Sequence, residues 1–193
     1  MNNRIVKGDS IKSKEYIELL KDYLQTLRCD IKDIHLLFFI LGINLGLKSK
    51  ELLSLEWNTI LNNDYSIKDY IVYNEYKLYL NESCEKIISN YICKYDLYCK
   101  NNKYVFGGNS RHMVADTFIV WYGKFTEKYN LSIHITTESL RKTFIYWQIK
   151  EHGNDPVKMY KLQDMVYRDR NNIYDISQYT IENDYNYFND VNL

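Results

Sequence analysis

The residues best equipped for chemistry stand in Thr136-Thr137-Glu138-Ser139-Leu140-Arg141-Lys142-Thr143-Phe144. The planar guanidinium of Arg141 can hold two phosphate oxygens at once, and Lys142 puts a second positive charge beside it. Glu138 precedes Arg141 by three residues, so on a helix the two share a face. Two behaviours are open to that carboxylate. It repels a bound phosphate by roughly 4 kcal/mol per charge pair at about 4 Å and an effective dielectric near 20, or it pairs with Lys142 or Arg141 and favours the helix start. The plain structural reading of Arg141 is a surface cation flanking a buried Leu140–Phe144 stripe. A second basic stretch, Gly46-Leu47-Lys48-Ser49-Lys50-Glu51-Leu52, carries the same mixture of cations and helix-forming apolar residues.

Other chemistries find less support. Cys29, Cys84, Cys93 and Cys99 form no C-x-x-C pair and have no histidine at zinc-ligand spacing, so reduced thiols, no metal and no cofactor are expected. Gly107-Gly108-Asn109-Ser110 lacks the preceding strand and following Gly-Lys-Ser/Thr of a nucleotide cradle and reads as a connector. The N-terminus has no apolar signal core, and Ile34 to Leu47 is too short a run to span a bilayer; a cytoplasmic protein without a membrane partner is expected.

The elements that must position these groups are mostly helical. With 193 residues, 46% hydrophobic and 16% aromatic, the chain can bury one core, which favours a single domain over 1–193. Twenty tyrosines beside one proline and seven glycines fit an AT-rich coding sequence and say little about stacking on bases. Lys+Arg 25 against Asp+Glu 25 leaves no net charge, so any nucleic-acid binding has to rest on a local basic face.

Tyr16, Leu19, Leu20, Tyr23, Leu24 and Leu27 predict a helix over about residues 13 to 27. A second starts near Asp30 as N-cap and ends at Gly46 in a tight turn. Ser49 is the expected cap of a short third helix. Ile71-Val72-Tyr73 and Leu78-Tyr79-Leu80, with Asn74-Glu75 between them, predict an antiparallel hairpin. Helices follow on the stripe from Ile87 to Tyr95, on Val114 to Phe125, from Thr136 or Thr137 to Gly153, after Asp155-Pro156, and around Ile173 to Tyr179.

This order resembles the catalytic domain of tyrosine recombinases, the phage integrase family. The likeness rests on Leu41-Gly42-Ile43-Asn44-Leu45-Gly46-Leu47, on Leu80-Asn81-Glu82 after the hairpin, on Leu140-Arg141-Lys142-Thr143-Phe144, and on Leu162-Gln163 followed by Tyr179. It covers nearly the whole chain. The resemblance implies a mainly α fold with a small antiparallel sheet. It also implies a metal-free chemistry in which a tyrosine phenol attacks a DNA phosphodiester while two arginines grip the phosphate, a hairpin lysine protonates the leaving group and two histidine-type residues assist. Members usually add an N-terminal helical domain that closes around DNA, and the expectation here is that no separate domain of that kind is present.

Carried over residue by residue, the resemblance assigns Arg141 to the second arginine and Tyr179 to the nucleophile, with Tyr174 and Tyr185 as competitors. Lys48 stands where the first arginine belongs and keeps the charge without the fork. Glu138 stands where a histidine belongs, and His134, four residues upstream, would need a register shift to replace it. The hairpin lysine falls near Ile71-Val72, with Lys68 and Lys77 the available candidates. The second histidine-type position falls on Arg170 counted from Tyr179, or on Arg168 counted from Leu162-Gln163; arginines hold phosphate but are poor proton shuttles.

The expected DNA-contacting set is therefore Lys48, Arg141, Lys142, Arg168, Arg170, Lys68 and Lys77, with double-stranded DNA as partner. Three functions follow: a phage or mobile-element DNA binder with strand exchange impaired or lost; an active minimal recombinase or nickase using Tyr179; or a protein-interaction module that has left DNA behind. The tail 180–193 is expected either to pack on a neighbouring subunit, giving a homo-oligomer, or to fold back on its own domain.

Overall fold

The computed structural model describes residues 8–73, 76–106, 111–167 and 190–193. Helix α1 (Lys14–Gln25) starts where Ser13 Oγ accepts from Tyr16 N at 3.1 Å, and it buries Ile17, Leu20, Tyr23 and Leu24. Helix α2 (Cys29–Leu45) is apolar on all sides from Leu36 to Ile43, and a stretch of that kind belongs in the middle of a bundle. Leu37, Phe38, Phe39, Leu41 and Ile43 are fully buried, with α1, α5 and α7 packed around them. Its N-cap is Arg28 rather than Asp30, without a side-chain cap, because the chain turns into the helix two residues earlier.

Gly46 ends α2 with φ 64°, as its place in the sequence predicts. Helix α3 (Ser49–Leu53) is capped differently from expectation. Glu51 reaches back so that Lys48 N donates to its Oε2 at 2.7 Å, which makes Lys48 the N-cap and leaves Ser49 inside the first turn. A further turn, α4 (Trp57–Ile60), leads to the hairpin β1 (Tyr70–Tyr73) and β2 (Tyr76–Tyr79). The register pairs Ile71 with Leu78 and Val72 with Lys77; Ile71 and Leu78 turn into the core, while Val72 faces outward.

Helix α5 (Glu82–Asn101) carries a kink at Tyr95, whose φ −125° and ψ 37° are not helical. Helices α6 (Arg111–Lys128), α7 (Thr137–His152) and α8 (Pro156–Tyr167) complete the order. Phe118, Tyr122 and Phe125 bury the inner side of α6. Asp155 caps α8, its Oδ1 accepting from Val157 N and Lys158 N at 3.0 and 3.1 Å. Mainly helical with a two-stranded antiparallel sheet, the chain has the architecture its periodicity predicts. No helix among the described residues is long and apolar enough to cross a membrane.

Both outer segments of the chain clip onto this bundle. Ahead of α1, Ile11 N donates to Thr143 Oγ1 at 2.9 Å and Trp147 Nε1 donates to Ile11 O at 3.0 Å. At the far end, Asn44 binds Leu193 twice: its Oδ1 accepts from Leu193 N and its Nδ2 donates to Leu193 O, each at 3.0 Å. Asn81 Nδ2 donates to Asn44 Oδ1 at 2.8 Å and to Val191 O at 3.3 Å, so two buried amides satisfy each other and the chain end together. Asp190 completes the clip through His152 at 3.0 Å and Lys158 at 2.9 Å. Of the two arrangements expected for the tail, residues 190–193 show the fold-back on their own chain.

Candidate nucleic-acid interface

The interface is built on the packing of α2 against α7. A Cβ on Gly42 would fall 2.5 Å from Leu140 Cδ1, and one on Gly46 would fall 2.6 Å from Phe144 Cδ1. The two glycines let α2 and α7 approach closely at two contacts about one turn apart, Gly42 on Leu140 and Gly46 on Phe144. Lys48 follows Gly46 by two residues, and Arg141 precedes Phe144 by three. The turn that carries Lys48 is thus docked against the helix that carries Arg141, and α3 itself also touches α7.

Lys48 is exposed and makes no ion pair among the described residues. Arg141 is half-buried, and its Nε is shielded from water. Such a guanidinium loses little rotamer freedom when it binds an anion. Glu138 lies exposed in the first turn of α7, where its charge favours the positive end of the helix. The expected pairing of Glu138 with Lys142 or Arg141 is not found among the described residues. Lys142 instead turns to the N-terminal segment and donates from Nζ to Gly8 O at 2.6 Å.

His134 occupies the approach to α7, as expected, and both of its backbone groups are tied to Asp9: His134 N donates to Asp9 Oδ2 at 2.9 Å, and Asp9 N donates to His134 O at 2.7 Å. A register shift that moved His134 into the Glu138 position would break both bonds. The other two histidines with described side chains are engaged elsewhere, His35 with Thr117 Oγ1 at 3.0 Å and His152 with Asp190.

The hairpin offers no lysine at Ile71-Val72. Ile71 is core, and Val72 is 56% exposed. Lys77 lies across from Val72 on the outer face, its Nζ 4.7 Å from the Tyr70 ring centre. Lys68 precedes the hairpin and donates from Nζ to Asn58 O at 2.7 Å. Arg168, Arg170, Tyr174, Tyr179 and Tyr185 lie outside the described residues.

No group of three or more His, Cys, Asp or Glu among the described residues could hold a metal ion. The free thiols of Cys84 and Cys99 are buried, and burial pushes them up to about 12 and about 11, far from a reactive thiolate. What the described groups offer is cationic: one exposed ammonium and one half-buried guanidinium on neighbouring elements. They can neutralise a phosphate, and no described histidine stands with them to move a proton.

Comparison with known proteins agrees with the fold. One solved structure similar to this chain is described as "Crystal structure of XerA recombinase", with a TM-score of 0.57 at 15% sequence identity. The fold is recombinase-like. The alignment covers 83% of this chain and 55% of that one, so this chain spans little more than half the length of the protein it matches. No protein-family model matches the sequence, and no curated protein does.

Two features of the region escaped the sequence reading. The clip formed by Gly8 to Ile11 has no periodicity to announce it, since Gly8, Asp9 and Ile11 bind mostly through backbone groups. Asn44 did leave a signal: it is an amide in the middle of the apolar run Leu41 to Leu47, and a buried polar side chain in such a run requires partners.

Proposed function

We propose that this chain is a double-stranded DNA-binding protein on a tyrosine-recombinase scaffold, working in the cytoplasm as a regulator or accessory factor of a phage or mobile element, with strand exchange impaired or lost. The observation that carries this reading is the docking of the Gly46–Lys48 turn on α7, which sets a lysine and an arginine on adjoining elements of a recombinase-like fold. In this reading the two cations grip the DNA backbone. Lysine in place of an arginine fork and glutamate in place of a histidine weaken transition-state stabilisation and proton transfer more than ground-state binding. Arg168 and Arg170 add backbone contacts, and residues 1–193 act as one domain.

Gel-shift titration of a duplex over a range of salt tests the reading. Affinity should fall steeply with salt, and Lys48→Ala combined with Arg141→Ala should flatten the log–log slope by about two, because each lost phosphate contact removes roughly one released counterion. Binding that is weak and insensitive to salt would sink the proposal in favour of a protein-interaction module. A covalent adduct trapped on a nicked duplex, and absent in Tyr179→Phe, would show instead that cleavage survives. Assembly through residues 180–193 is tested by the mass in solution before and after truncation at Thr180.

A further inference from the structure

A polar cleft lies between the 62–66 turn, α4 and the C-terminal end of α5, and neither Lys48 nor Arg141 lines it. Its volume is about 460 Å³, and a neighbouring depression of about 560 Å³ shares Asn58, Asn62 and Lys68 with it. That is the size range of small-molecule sites, although apolar side chains are few here. Lys68, Lys100 and Lys103 line the cleft together with asparagine amides.

Each ammonium is fixed by one bond: Lys68 to Asn58 O at 2.7 Å, Lys100 to Asp96 at 2.7 Å and Lys103 to Glu56 at 2.9 Å. Neither carboxylate lines the cleft. An ammonium has three donors, so each of the three lysines keeps donor capacity for an anion.

Tyr65 lines the same cleft. The chain reverses at Asn62–Ser66, with Asn62 N donating to Ser66 O at 2.9 Å and Tyr65 N donating to Asn62 O at 3.0 Å, next to the Leu61–Ile67 bridge. This reversal puts residue 65 in left-handed backbone, where glycine or asparagine rests without strain. Here it is Tyr65, with φ 65° and a side chain that is 47% exposed. A strained backbone that displays an aromatic ring on a cleft is a device found at binding sites. Lys100 Nζ lies over the ring, 5.1 Å from its centre, so the cation covers one face and a base would stack on the other.

We infer that this cleft binds a nucleotide: a phosphate ester held by the lysines, with its base stacked on Tyr65 and its polar edge met by Asn58, Asn62 and Asn63. The ligand is either a free nucleotide or an unpaired nucleotide of a single strand, and the two share this chemistry.

Calorimetric titration of the full chain with uridine and adenosine monophosphate, with inorganic phosphate, and with a short single-stranded oligonucleotide tests the inference. The monophosphates should bind roughly tenfold more tightly than phosphate, the difference one stacked base makes. Tyr65→Gly should abolish that advantage while the Tm holds or rises, since the substitution relieves strain. Lys100→Ala should weaken monophosphate and phosphate alike. Tighter binding of the oligonucleotide assigns the site to a strand, and tighter binding of the monophosphate assigns it to a free nucleotide. The inference is overturned by absence of saturable binding, by phosphate matching the monophosphates, or by unchanged affinity in Tyr65→Gly. Loss of monophosphate binding in Lys48→Ala with Lys100→Ala unaffected would likewise overturn it and move the ligand to the proposed duplex interface.

Discussion

Gly46 and Tyr65 adopt nearly the same left-handed backbone, φ 64° and 65°, at two turns built on opposite terms. At the first, the helix end is pressed into the core, with Phe144 and Met165 closing over it, and a side chain has no room. At the second, the turn stands in solvent beside a polar cleft, and a large ring is accommodated at the cost of backbone strain. Packing dictates the residue at the buried turn. At the exposed turn local geometry favours glycine, and the chain carries tyrosine all the same. One turn therefore reports on architecture, and the other on something the architecture does not require.

Substitutions at the two turns should separate these terms. Gly46→Ala combines left-handed strain with a Cβ 2.6 Å from the Phe144 ring, and a loss of about 2–4 kcal/mol is expected by chemical denaturation. Asn44→Leu, two residues earlier in the same corner, strips Leu193 and Asn81 of their partner and should cost about 2–3 kcal/mol, with faster proteolysis at the C-terminus. Tyr65→Gly should go the other way and stabilise by up to about 1 kcal/mol in urea unfolding. A large loss at Tyr65→Gly would erase the contrast.

The smallest effect lies at the exposed fringe of the Asn44 corner. Burial raises the Asp190 carboxyl, but the bonds from Lys158 and His152 outweigh it and hold the group below its ordinary value of 3.8. A folded-state value below the unfolded one gives stability that is complete above the unfolded value and vanishes as pH falls through the folded one. Asp190→Asn should therefore lose less than about 1 kcal/mol near neutrality and flatten the acid limb of a stability–pH profile. An unchanged acid limb would show that Asp190 contributes nothing there.

The long-period features were legible in the sequence. The stripes of α1, α6 and α7 predicted helices, Gly46 predicted the α2 stop, and the alternation around Ile71 and Leu78 predicted the hairpin, because burial on one face imposes a period. Short-range competition was harder to read. Arg28 and Lys48 are N-caps although Asp30 and Ser49 have the better cap chemistry; at α3 the Glu51 carboxylate reaches back and decides the matter. Tyr65 in a glycine position gave no warning, since composition carries no φ. At the candidate interface, Lys48, Glu138 and Arg141 could be named from the resemblance to tyrosine recombinases. The use of Lys142 as a tether could not, because its partner is a backbone oxygen 134 positions away.

That tether belongs to a set of bonds from Gly8 to Ile11 that reach 132 to 136 positions along the chain to α7. During synthesis residues 8–11 emerge well before the helix they will grip, and their bonds to α7 form only after the intervening positions have followed. Closing so long a loop is slow and comes late in folding. The helix that bears Arg141 is thus fastened late, and a nascent chain stalled before residue 142 lacks all three of the strap's partners on α7.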